Sequence, residues 1–375
     1  MKVMIIAGEA SGDNHGGMLV KALKALDSTM DCYGIGGVKM VEAGCRLLFD
    51  AKDIAVVGLI EVIKHYGKIK EAWNLAVASL TTEKPDCVVL IDYPGFNLRF
   101  AKEVKNHGIK VVYYVSPQIW AWHKSRLKTI KATVDHMAVI LPFEAKFYKE
   151  AGIPVTYVGC PLLEQVTPAE KQVAREQLSL SQNALIFGIL PGSRISEFTH
   201  LLPELIDAAE LLSRRYPHTQ FVIPLASTIK ESDIWPYLDD TELPIVMIKR
   251  NSHLAMSACD VLIGSSGTVT LEATLLGIPM VIIYKMNALT YWFAKRLVKI
   301  KFIGLPNLLA NKSILPELIQ DAANSTRIAE EAARFIDDEA YADRTRVALK
   351  DITLSLGEQG AAKRVAEIVL ATSSF

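Results

Sequence analysis

The most informative stretch of the 375-residue chain is a short Gly/Ser loop between an apolar run and a helical segment. Residues 262–272 read Leu-Ile-Gly-Ser-Ser-Gly-Thr-Val-Thr-Leu-Glu, and a second apolar run begins at Met280. Small residues at a helix start let main-chain N–H groups approach an anion, and the helix dipole favours negative charge there. Glu272 follows about one turn later, where its carboxylate can accept hydrogen bonds from sugar hydroxyls. The pattern predicts a nucleoside diphosphate site, although an ordinary strand–helix turn capped by serines has the same residues.

A second glycine loop, at 8–17, directly follows the first apolar run. Its sequence matches neither the dinucleotide fingerprint nor the P-loop. It carries four polar side chains, those of Glu9, Ser11, Asp13 and His15. Ser11 or Asp13 can cap the next helix, but capping accounts for only one of the four groups. We therefore predict a substrate loop in which Glu9, Ser11 and Asp13 are the contacts.

Two further loops follow buried strands and carry a carboxylate and two tryptophans. Asp92 comes directly after the run 87–91, and in a parallel sheet this position faces the ligand. A carboxylate there can act as a general base on an alcohol if burial tunes its pKa, whereas the alternative is a cap for the turn before the next proline. Trp120 and Trp122 are costly to expose, so they pack on the core or on a greasy or sugar-like substrate.

The apolar run 185–190 delivers Ser193 and Arg194 to the corresponding edge of a later sheet. An Arg fork suits a diphosphate and neutralises the charge of a leaving group, while an ion pair with Glu197 is the alternative. The sequence shows no DxD pair and no His/Asp/Glu cluster at ligand spacing. We therefore expect a metal-independent mechanism that uses no cofactor.

Length, charge and apolar patterning indicate a two-domain α/β protein. The chain is long for one core, and its 41 basic residues balance its 41 acidic residues, which argues against nucleic acid as a partner. Its five cysteines are scattered, as is typical of reduced thiols in the cytoplasm. Short apolar runs that alternate with helical segments indicate parallel sheets covered on both faces. The predicted strands are 3–7, 87–91, 111–115, 136–140, 185–190, 220–224, 245–248, 261–264 and 280–284.

These runs form two series, which predicts two Rossmann-like domains facing a cleft, with ligands at the carboxyl ends of the strands. We expect the first domain to span 1–165 and the second 166–354. The tail is helical, and a final helix at about 355–375 is expected to cross back to the first domain.

Two basic stretches with aromatic residues, 56–80 and 285–301, have apolar residues near helical spacing. Such segments suit a membrane interface or an acyl chain, although helices that pack in a core show the same periodicity. No window reaches the roughly eighteen uninterrupted apolar residues of a spanning helix.

Five motifs, taken together, resemble the lipid-A-disaccharide synthase family. The resemblance extends in order from the first strand to about residue 320. The motifs are Gly-Glu-Ala-Ser-Gly-Asp at 8–13, Ser-Pro-Gln-Ile-Trp-Ala-Trp at 116–122, Leu-Pro-Gly-Ser-Arg at 190–194, Gly-Thr-Val-Thr-Leu-Glu at 267–272, and Ala-Lys-Arg-Leu-Val-Lys at 294–299 with Leu-Pro-Asn-Leu-Leu at 305–309.

The resemblance implies a GT-B glycosyltransferase of lipid A biosynthesis, with an acceptor-binding first domain and a donor-binding second domain. Its donor would be UDP-2,3-diacylglucosamine and its acceptor 2,3-diacylglucosamine 1-phosphate (lipid X). The products would be a β-1,6-linked disaccharide 1-phosphate and UDP. The enzyme would lie in the cytoplasm, peripherally on the anionic cytoplasmic face of the inner membrane of a Gram-negative bacterium. A homodimer that exchanges the C-terminal helix is compatible with this plan.

The resemblance also assigns residues. The family's essential aspartate and arginine fall on Asp92 and Arg194, and its uridine nucleotide contacts fall on Ser266, Gly267, Thr268, Glu272 and Asn307. Where the family often has a second acidic residue, three places after the first, this chain has Gly95. That departure leaves Asp92 as the candidate base and weakens any requirement for a carboxylate pair.

Two alternatives remain open at this point. An enzyme similar to UDP-N-acetylglucosamine 2-epimerase would share the two-domain plan and the diphosphate loop but would have no use for acyl-binding helices. A catalytically silent protein that binds nucleotide sugars or acts as a membrane scaffold is the other alternative. Incubation with the acylated UDP-sugar and lipid X separates them, because the outcome is a disaccharide, an epimer or no product.

Overall fold

The computed structural model describes residues 1–54, 65–119, 126–192, 195–226, 229–239, 241–286, 291 and 301–373, and the side chains of 195–197 are not described. The predicted site residues Trp120, Trp122, Ser193 and Arg194 lie outside the described residues. The same holds for 55–64 of the first basic stretch and for almost all of 287–300 in the second.

The chain divides into two compact units. Unit 1 comprises Met1–Pro161 with Glu358–Phe375, and unit 2 comprises Leu162–Gly357. The described strands are β1 Lys2–Ala7, β2 Asp31–Gly36, β3 Arg46–Asp50, β4 Cys87–Ile91, β5 Lys110–Tyr114, β6 His136–Val139, β7 Val155–Tyr157, β8 Leu185–Leu190, β9 Thr219–Leu225, β10 Ile245–Lys249, β11 Val261–Ser265, β12 Met280–Tyr284 and β13 Glu317–Ile319.

Helices separate most of these strands. The described helices are α1 Ala10–Leu26, α2 Val38–Glu42, α3 Tyr66–Thr82, α4 Pro94–Asn106, α5 Arg126–Thr133, α6 Pro142–Glu150, α7 Leu162–Gln165, α8 Lys171–Gln177, α9 Ile195–Arg215, α10 Glu231–Ile234, α11 Ser252–Ser257, α12 Thr268–Leu275, α13 Leu305–Ala310, α14 Ser325–Asp337, α15 Glu339–Ser355 and α16 Ala361–Ser373. Short 3₁₀ turns occur at Ala51–Asp53, Trp235–Tyr237 and Gln320–Ala322.

Unit 1 is built on a parallel sheet with the strand order β3-β2-β1-β4-β5-β6-β7. Alternate residues of β1 point to opposite faces, as the period of a strand requires. Val3, Ile5 and Ala7 belong to the core beneath α1, whereas Met4 and Ile6 belong to the core on the other face. Both faces are therefore buried, which explains why the strand is almost continuously apolar.

The C-terminal helix α16 packs on the sheet of unit 1. Val365, Ala366 and Val369 are fully buried in the same core as β1 and α1. Arg364 adds a polar anchor, because its Nε donates to the carbonyl oxygen of Val158 at 2.7 Å. Burial of each valine contributes about 1.5–3 kcal/mol, so the helix belongs to the fold of unit 1. The predicted return of the last helix to the first domain is confirmed.

Unit 2 contains a second parallel sheet with the order β10-β9-β8-β11-β12-β13. Its central strands β8 and β11 approach each other closely at Gly264, where an added Cβ would overlap the carbonyl oxygen and Cβ of Leu190. All nine strands predicted from apolar runs are present, whereas β2, β3, β7 and β13 were missed. β2 contains two glycines and β7 and β13 have three residues each, so their apolar signal is weak.

The strand order places the carboxyl ends of four central strands where a ligand site is expected. The order reverses between β1 and β4 in the first sheet and between β8 and β11 in the second, and ligands bind at such points. Ala7 pairs with Ile91, so the loops that begin at Gly8 and Asp92 are neighbours. Leu190 pairs with Gly264, which brings the loops after β8 and β11 together in the same way.

The two basic stretches are partly explained by packing. In α3 the ring of Trp73 packs edge-on against Phe96 and Phe100, at centroid distances of 5.3 and 5.8 Å, so this side of the helix faces the core. Tyr66, the first residue of the helix, and Leu75, on the side away from Trp73, remain exposed. No helix among the described residues is both long enough and apolar enough to cross a bilayer.

We predict that Gly264→Ala destabilises unit 2, because the new methyl group must displace the main chain of Leu190. Overpacking of this kind costs about 2 kcal/mol, or roughly 4–8 °C in Tm for a unit of this size. The matched control is Gly267→Ala three residues later, where an added Cβ meets nothing within 4 Å and φ is 166°. Equal Tm values for the two variants, measured by calorimetry, would contradict the prediction.

Candidate functional site

A cavity with a volume of about 820 Å³ lies in unit 2. It opens at the carboxyl ends of β8, β9, β10 and β11, which is where the reversal of strand order predicts a ligand. Four of the predicted donor residues line it, namely Ser266, Gly267, Thr268 and Glu272. Gly192, directly before the undescribed Ser193 and Arg194, lines it as well.

The Gly/Ser loop forms the floor of this cavity and leads into α12. Gly267 occupies the N-cap position of α12, and both Gly267 and Thr268 are exposed. Two hydrogen bonds fix the position of Ser266. Its N–H donates to the carbonyl of Ile283 at 3.0 Å, and its Oγ donates to the carbonyl of Ile303 at 3.2 Å. The exposed start of α12, at Gly267 and Thr268, therefore offers main-chain N–H groups to an anion in the cavity.

Glu272 lies one turn into α12 and also faces the cavity. Its Oε2 lies 3.6 Å from Nε2 of His253, which belongs to α11. A carboxylate can accept about four hydrogen bonds, so this single contact leaves acceptor capacity for the hydroxyls of a ribose.

Three cationic residues at or after the ends of β9 and β10 line one wall of the cavity, and we did not predict them. Lys230, Lys249 and Arg250 line the cavity, and Lys249 pairs with Glu231 at 3.2 Å. No described carboxylate forms an ion pair with Lys230 or Arg250, so the wall carries positive charge suited to a diphosphate. Lys249 and Arg250 directly follow the predicted strand 245–248, whereas Lys230 lies six residues after the predicted strand 220–224. Position along the chain therefore does not indicate Lys230, and the strand order is needed to place it at this edge.

The main chain at this wall is strained. Arg250 and Asn251 have φ values of 67° and 57°, in the left-handed region that non-glycine residues seldom adopt. Each such residue costs of order 1 kcal/mol or more, and residues of this kind cluster at ligand sites. The strain supports the assignment of the cavity as a binding site.

Asn307 occupies a different position from the other predicted nucleotide contacts. It is fully buried, and its Nδ2 donates to the carbonyl of Leu315 and to Oε1 of Glu317, both at 2.8 Å. Its Oδ1 accepts from the N–H groups of Ile314 and Leu315. All four hydrogen bonds of the amide are thus made within the protein, and this geometry supports a structural role, not the predicted contact with a nucleotide.

The Asn307 amide instead supports the loop indirectly. Glu317 accepts hydrogen bonds from Asn307 and from the main-chain N–H groups of Ile303 and Gly304, at 2.8, 2.9 and 3.0 Å. Because Ile303 in turn accepts the hydroxyl of Ser266, the network ends at the Gly/Ser loop.

The second site residue, Asp92, lies at the corresponding edge of the sheet in unit 1. It follows β4 and does not cap α4, since Tyr93 takes the N-cap position. Burial, chiefly, and the negative charge of Glu9 raise the pKa of the Asp92 carboxyl to about 7, against a smaller opposing effect of a hydrogen bond from the Tyr93 N–H. A carboxyl with that pKa is partly deprotonated at neutral pH and basic enough to accept a proton.

The glycine loop brings Glu9 close to Asp92. Gly8 lies against the ring of Tyr93 so closely that an added Cβ would overlap the ring, and the hydroxyl of Tyr93 donates to the carbonyl of Ile54 at 2.9 Å. Glu9 occupies the N-cap position of α1, but its side chain makes no capping hydrogen bond. The contact of its carboxylate with a substrate stays a prediction.

Asp13 has a structural role in this geometry. Its buried carboxylate accepts the main-chain N–H groups of Gly37, Lys39 and Met40 at 2.7, 2.9 and 3.1 Å, and so holds the start of α2. This use supports helix capping and not the predicted contact with a substrate. Ser11 is exposed in the first turn of α1.

His15, which shares the glycine loop, is not suited to proton transfer near neutrality. Burial lowers the pKa of His15 to about 4, and its ring packs edge-on against Tyr114 at 5.8 Å. Across the part of the chain that the structure describes, no group of three or more His, Cys, Asp or Glu side chains is placed to hold a metal ion.

Comparison with known proteins identifies the family. A family model described as lipid-A-disaccharide synthetase matches residues 3–371. The lipid-A-disaccharide synthase of Trichlorobacter lovleyi is 48% identical over 373 residues, which cover 98% of this chain and 97% of that protein. The chain belongs to the lipid-A-disaccharide synthase family. It has lipid-A-disaccharide synthase activity and acts in lipid A biosynthesis, which confirms the function predicted from the five motifs.

Solved structures agree on the fold. UDP-GlcNAc 2-epimerase from Neisseria meningitidis, solved with UDP-GlcNAc bound, is similar with a TM-score of 0.64 and 14% identity, covering 99% of this chain and 100% of that chain. MurG from Acinetobacter baumannii has a TM-score of 0.60 and 15% identity, with 99% of each chain covered. At these identities the likeness shows the fold alone, and it confirms the predicted GT-B architecture. The alternative prediction of an epimerase is therefore supported only by the fold.

We predict that Asp92→Asn stabilises this synthase at alkaline pH. An unfolded aspartate titrates near pKa 3.9, so the folded protein binds more protons than the unfolded chain between about pH 4 and 7, and stability is lost as pH rises through about 7. Asparagine carries no charge and avoids this loss. At pH 8 we expect a gain of at least about 1 kcal/mol, or roughly 2–4 °C in Tm. At pH 4 the gain should vanish; a Tm difference between wild type and variant that does not depend on pH would contradict the assignment.

Proposed function

We propose that the synthase transfers 2,3-diacylglucosamine from UDP to the 6-hydroxyl of lipid X by a single inverting displacement. Asp92 accepts the proton of that hydroxyl, whose oxygen attacks the anomeric carbon. The bond from this carbon to the diphosphate breaks, and its electron pair leaves on UDP. The new β-1,6 bond and the released UDP account for every atom of the two substrates.

The observation that carries this proposal is the raised pKa of Asp92 at the strand edge where ligands bind. Ionised surface carboxylates are weak bases, whereas a carboxyl with a pKa of about 7 matches proton transfer at cellular pH. The neighbouring Glu9 supplies part of this shift and is free to contact the acceptor. Lipid X is the acceptor that the family membership supports.

The cavity of unit 2 supports binding of the UDP-sugar. We propose that the exposed first turn of α12 and the side chain of Arg194 hold the diphosphate, with Lys230 and Arg250 adding positive charge. Glu272 accepts the ribose hydroxyls. Ser193 follows Gly192 at the cavity edge and is a further proposed contact. As the bond to the sugar breaks, these groups stabilise the negative charge that develops on UDP.

Both substrates carry acyl chains, and we propose that they are met by the two basic stretches and by Trp120 and Trp122. The described residues of the two stretches limit which side chains are available for this contact. Tyr66 and Leu75 are exposed on α3, but Lys285 is engaged, since its Nζ lies 2.7 Å from Oε1 of Glu204. Lys68 is also paired, with Glu71 at 3.3 Å. Peripheral attachment to the anionic inner membrane would then depend on Lys70 and on basic residues outside the described segments.

We retain the homodimer formed by exchange of α16 as a prediction. The helix packs on the sheet of its own chain, and an exchanged helix from a second copy would bury the same Val365, Ala366 and Val369.

The first test replaces the proposed base. Asp92→Asn should lower disaccharide formation at least about a thousandfold, because general base catalysis is lost, while UDP still binds with the wild-type Kd. The wild-type kcat/KM should rise about tenfold per pH unit below pH 7 and level off above it, since the base acts only when deprotonated. Product is quantified by mass spectrometry and UDP affinity by calorimetry. Unaltered turnover in the variant would reject Asp92 as the base.

The second test concerns the diphosphate. Gly267→Ala places a methyl group in the open space above α12 without disturbing the fold, so it should weaken UDP at least about tenfold and leave uridine, which lacks phosphates, almost unaffected. Arg194→Ala should reduce UDP affinity and turnover together, and Arg194→Lys should restore only part of either. Wild-type affinity of the Gly267 variant for UDP would place the diphosphate elsewhere.

A further inference from the structure

Two buried side chains converge on the main-chain carbonyl of Asp92. The hydroxyl of Tyr113, in β5, donates to this oxygen at 2.6 Å. Nδ2 of Asn97, in α4, donates to the same oxygen at 2.8 Å and also to the carbonyl of Ile91 at 3.1 Å. Both lone pairs of the Asp92 carbonyl are therefore used, and the donors come from two different elements.

The main chain that they hold is strained. Asp92 and Tyr93 have φ values of 44° and 45°, both in the left-handed region. Two successive left-handed residues without glycine cost roughly 2–4 kcal/mol and persist only where the surroundings over-determine them. The strand register contributes through the Asp92 N–H, which donates to the carbonyl of Tyr114 at 3.0 Å. The carbonyl of Tyr93 accepts the N–H groups of Phe96 and Asn97 at the start of α4, at 3.2 and 3.0 Å. The carbonyl of Asp92 itself is held by the side chains of Tyr113 and Asn97.

Packing alone does not explain why these two residues are polar. Asn97 and Tyr113 are both fully buried, and Oδ1 of Asn97 accepts no hydrogen bond from the described residues. A buried acceptor without a donor costs about 1–3 kcal/mol, so an apolar side chain of the same size would favour stability. An amide is needed at position 97 because its Nδ2 donates hydrogen bonds to two main-chain carbonyls, those of Ile91 and Asp92.

We propose that Tyr113 and Asn97 are positioning residues that keep the turn at Asp92 left-handed and thereby aim its carboxylate at the acceptor hydroxyl. The proposal rests on the function of Asp92 as the base. Burial keeps the pKa of Tyr113 well above its usual value, so its hydroxyl remains a donor over the whole range of an activity assay. With one donor lost, the turn relaxes and the carboxylate spends less time in its buried, strained position.

The test is Tyr113→Phe, which keeps the ring and removes only the hydroxyl. We expect kcat to fall about tenfold, with KM for both substrates and the Kd for UDP within about twofold of wild type. Because the relaxed carboxylate is better solvated, the acid limb of the kcat/KM profile should move below pH 7 by about half a unit. A residue that only stabilises the fold would lower Tm without moving that limb.

The chain offers a matched control in Tyr33 of β2, in the same sheet. Tyr33 is also fully buried, but the polar neighbour of its hydroxyl is the Ser79 side chain and not Asp92. Tyr33→Phe removes the same atom from the same kind of site, so kcat and the pH profile should match wild type. This control separates loss of the contact with Asp92 from loss of a buried hydroxyl in general.

A double variant distinguishes failure of this inference from failure of the proposed base. In an Asp92→Asn background, Tyr113→Phe should leave the residual rate unchanged, because no carboxylate remains to be aimed. Wild-type kcat and pH profile in Tyr113→Phe, or a tenfold fall that persists in the Asp92→Asn background, would overturn the positioning role. If Asp92→Asn itself turns over normally, the base assignment fails instead.

Discussion

The parallel pairing of β1 with β4 is the constraint on which the proposed acceptor site depends. Because Ala7 pairs with Ile91, the strands end together, and Glu9 and Asp92 begin their loops side by side. Burial of the Asp92 carboxyl, chiefly, and the negative charge of the neighbouring Glu9 raise the pKa of Asp92. The position of the two carboxylates therefore follows from strand register, which brings both loops to the same edge of the sheet.

Unit 2 uses the same arrangement for a different purpose. Leu190 pairs with Gly264, and the loops after β8 and β11 meet at the cavity. Here the loop from β11 starts a helix with exposed main-chain N–H groups, and the neighbouring loops bring Lys230 and Arg250 in place of carboxylates. One sheet edge thus raises the basicity of a carboxylate, and the other gathers positive charge for a diphosphate.

The limits of prediction from the sequence follow from the same physics. Central strands and the Gly/Ser loop were predictable because they depend on local apolar runs and small residues. Asp13 and Asn307 were predicted as ligand contacts, but their hydrogen-bond partners lie on distant or later segments, which no local pattern specifies. Conversely, Lys230 and Arg250 look like ordinary surface charges until the order of strands shows that both follow strands at the ligand edge.

The turn at Asp92 lowers the stability of the folded protein, so other parts of the fold must offset its cost. Its ionised form is poorly solvated, and its main chain is left-handed, so both features oppose folding. The opposing contributions come from residues that do no chemistry, among them the fully buried β1 and the valines of α16. Because α16 is the last described helix and packs on the same sheet, its burial supplies part of the stability that the strained turn at the proposed base requires.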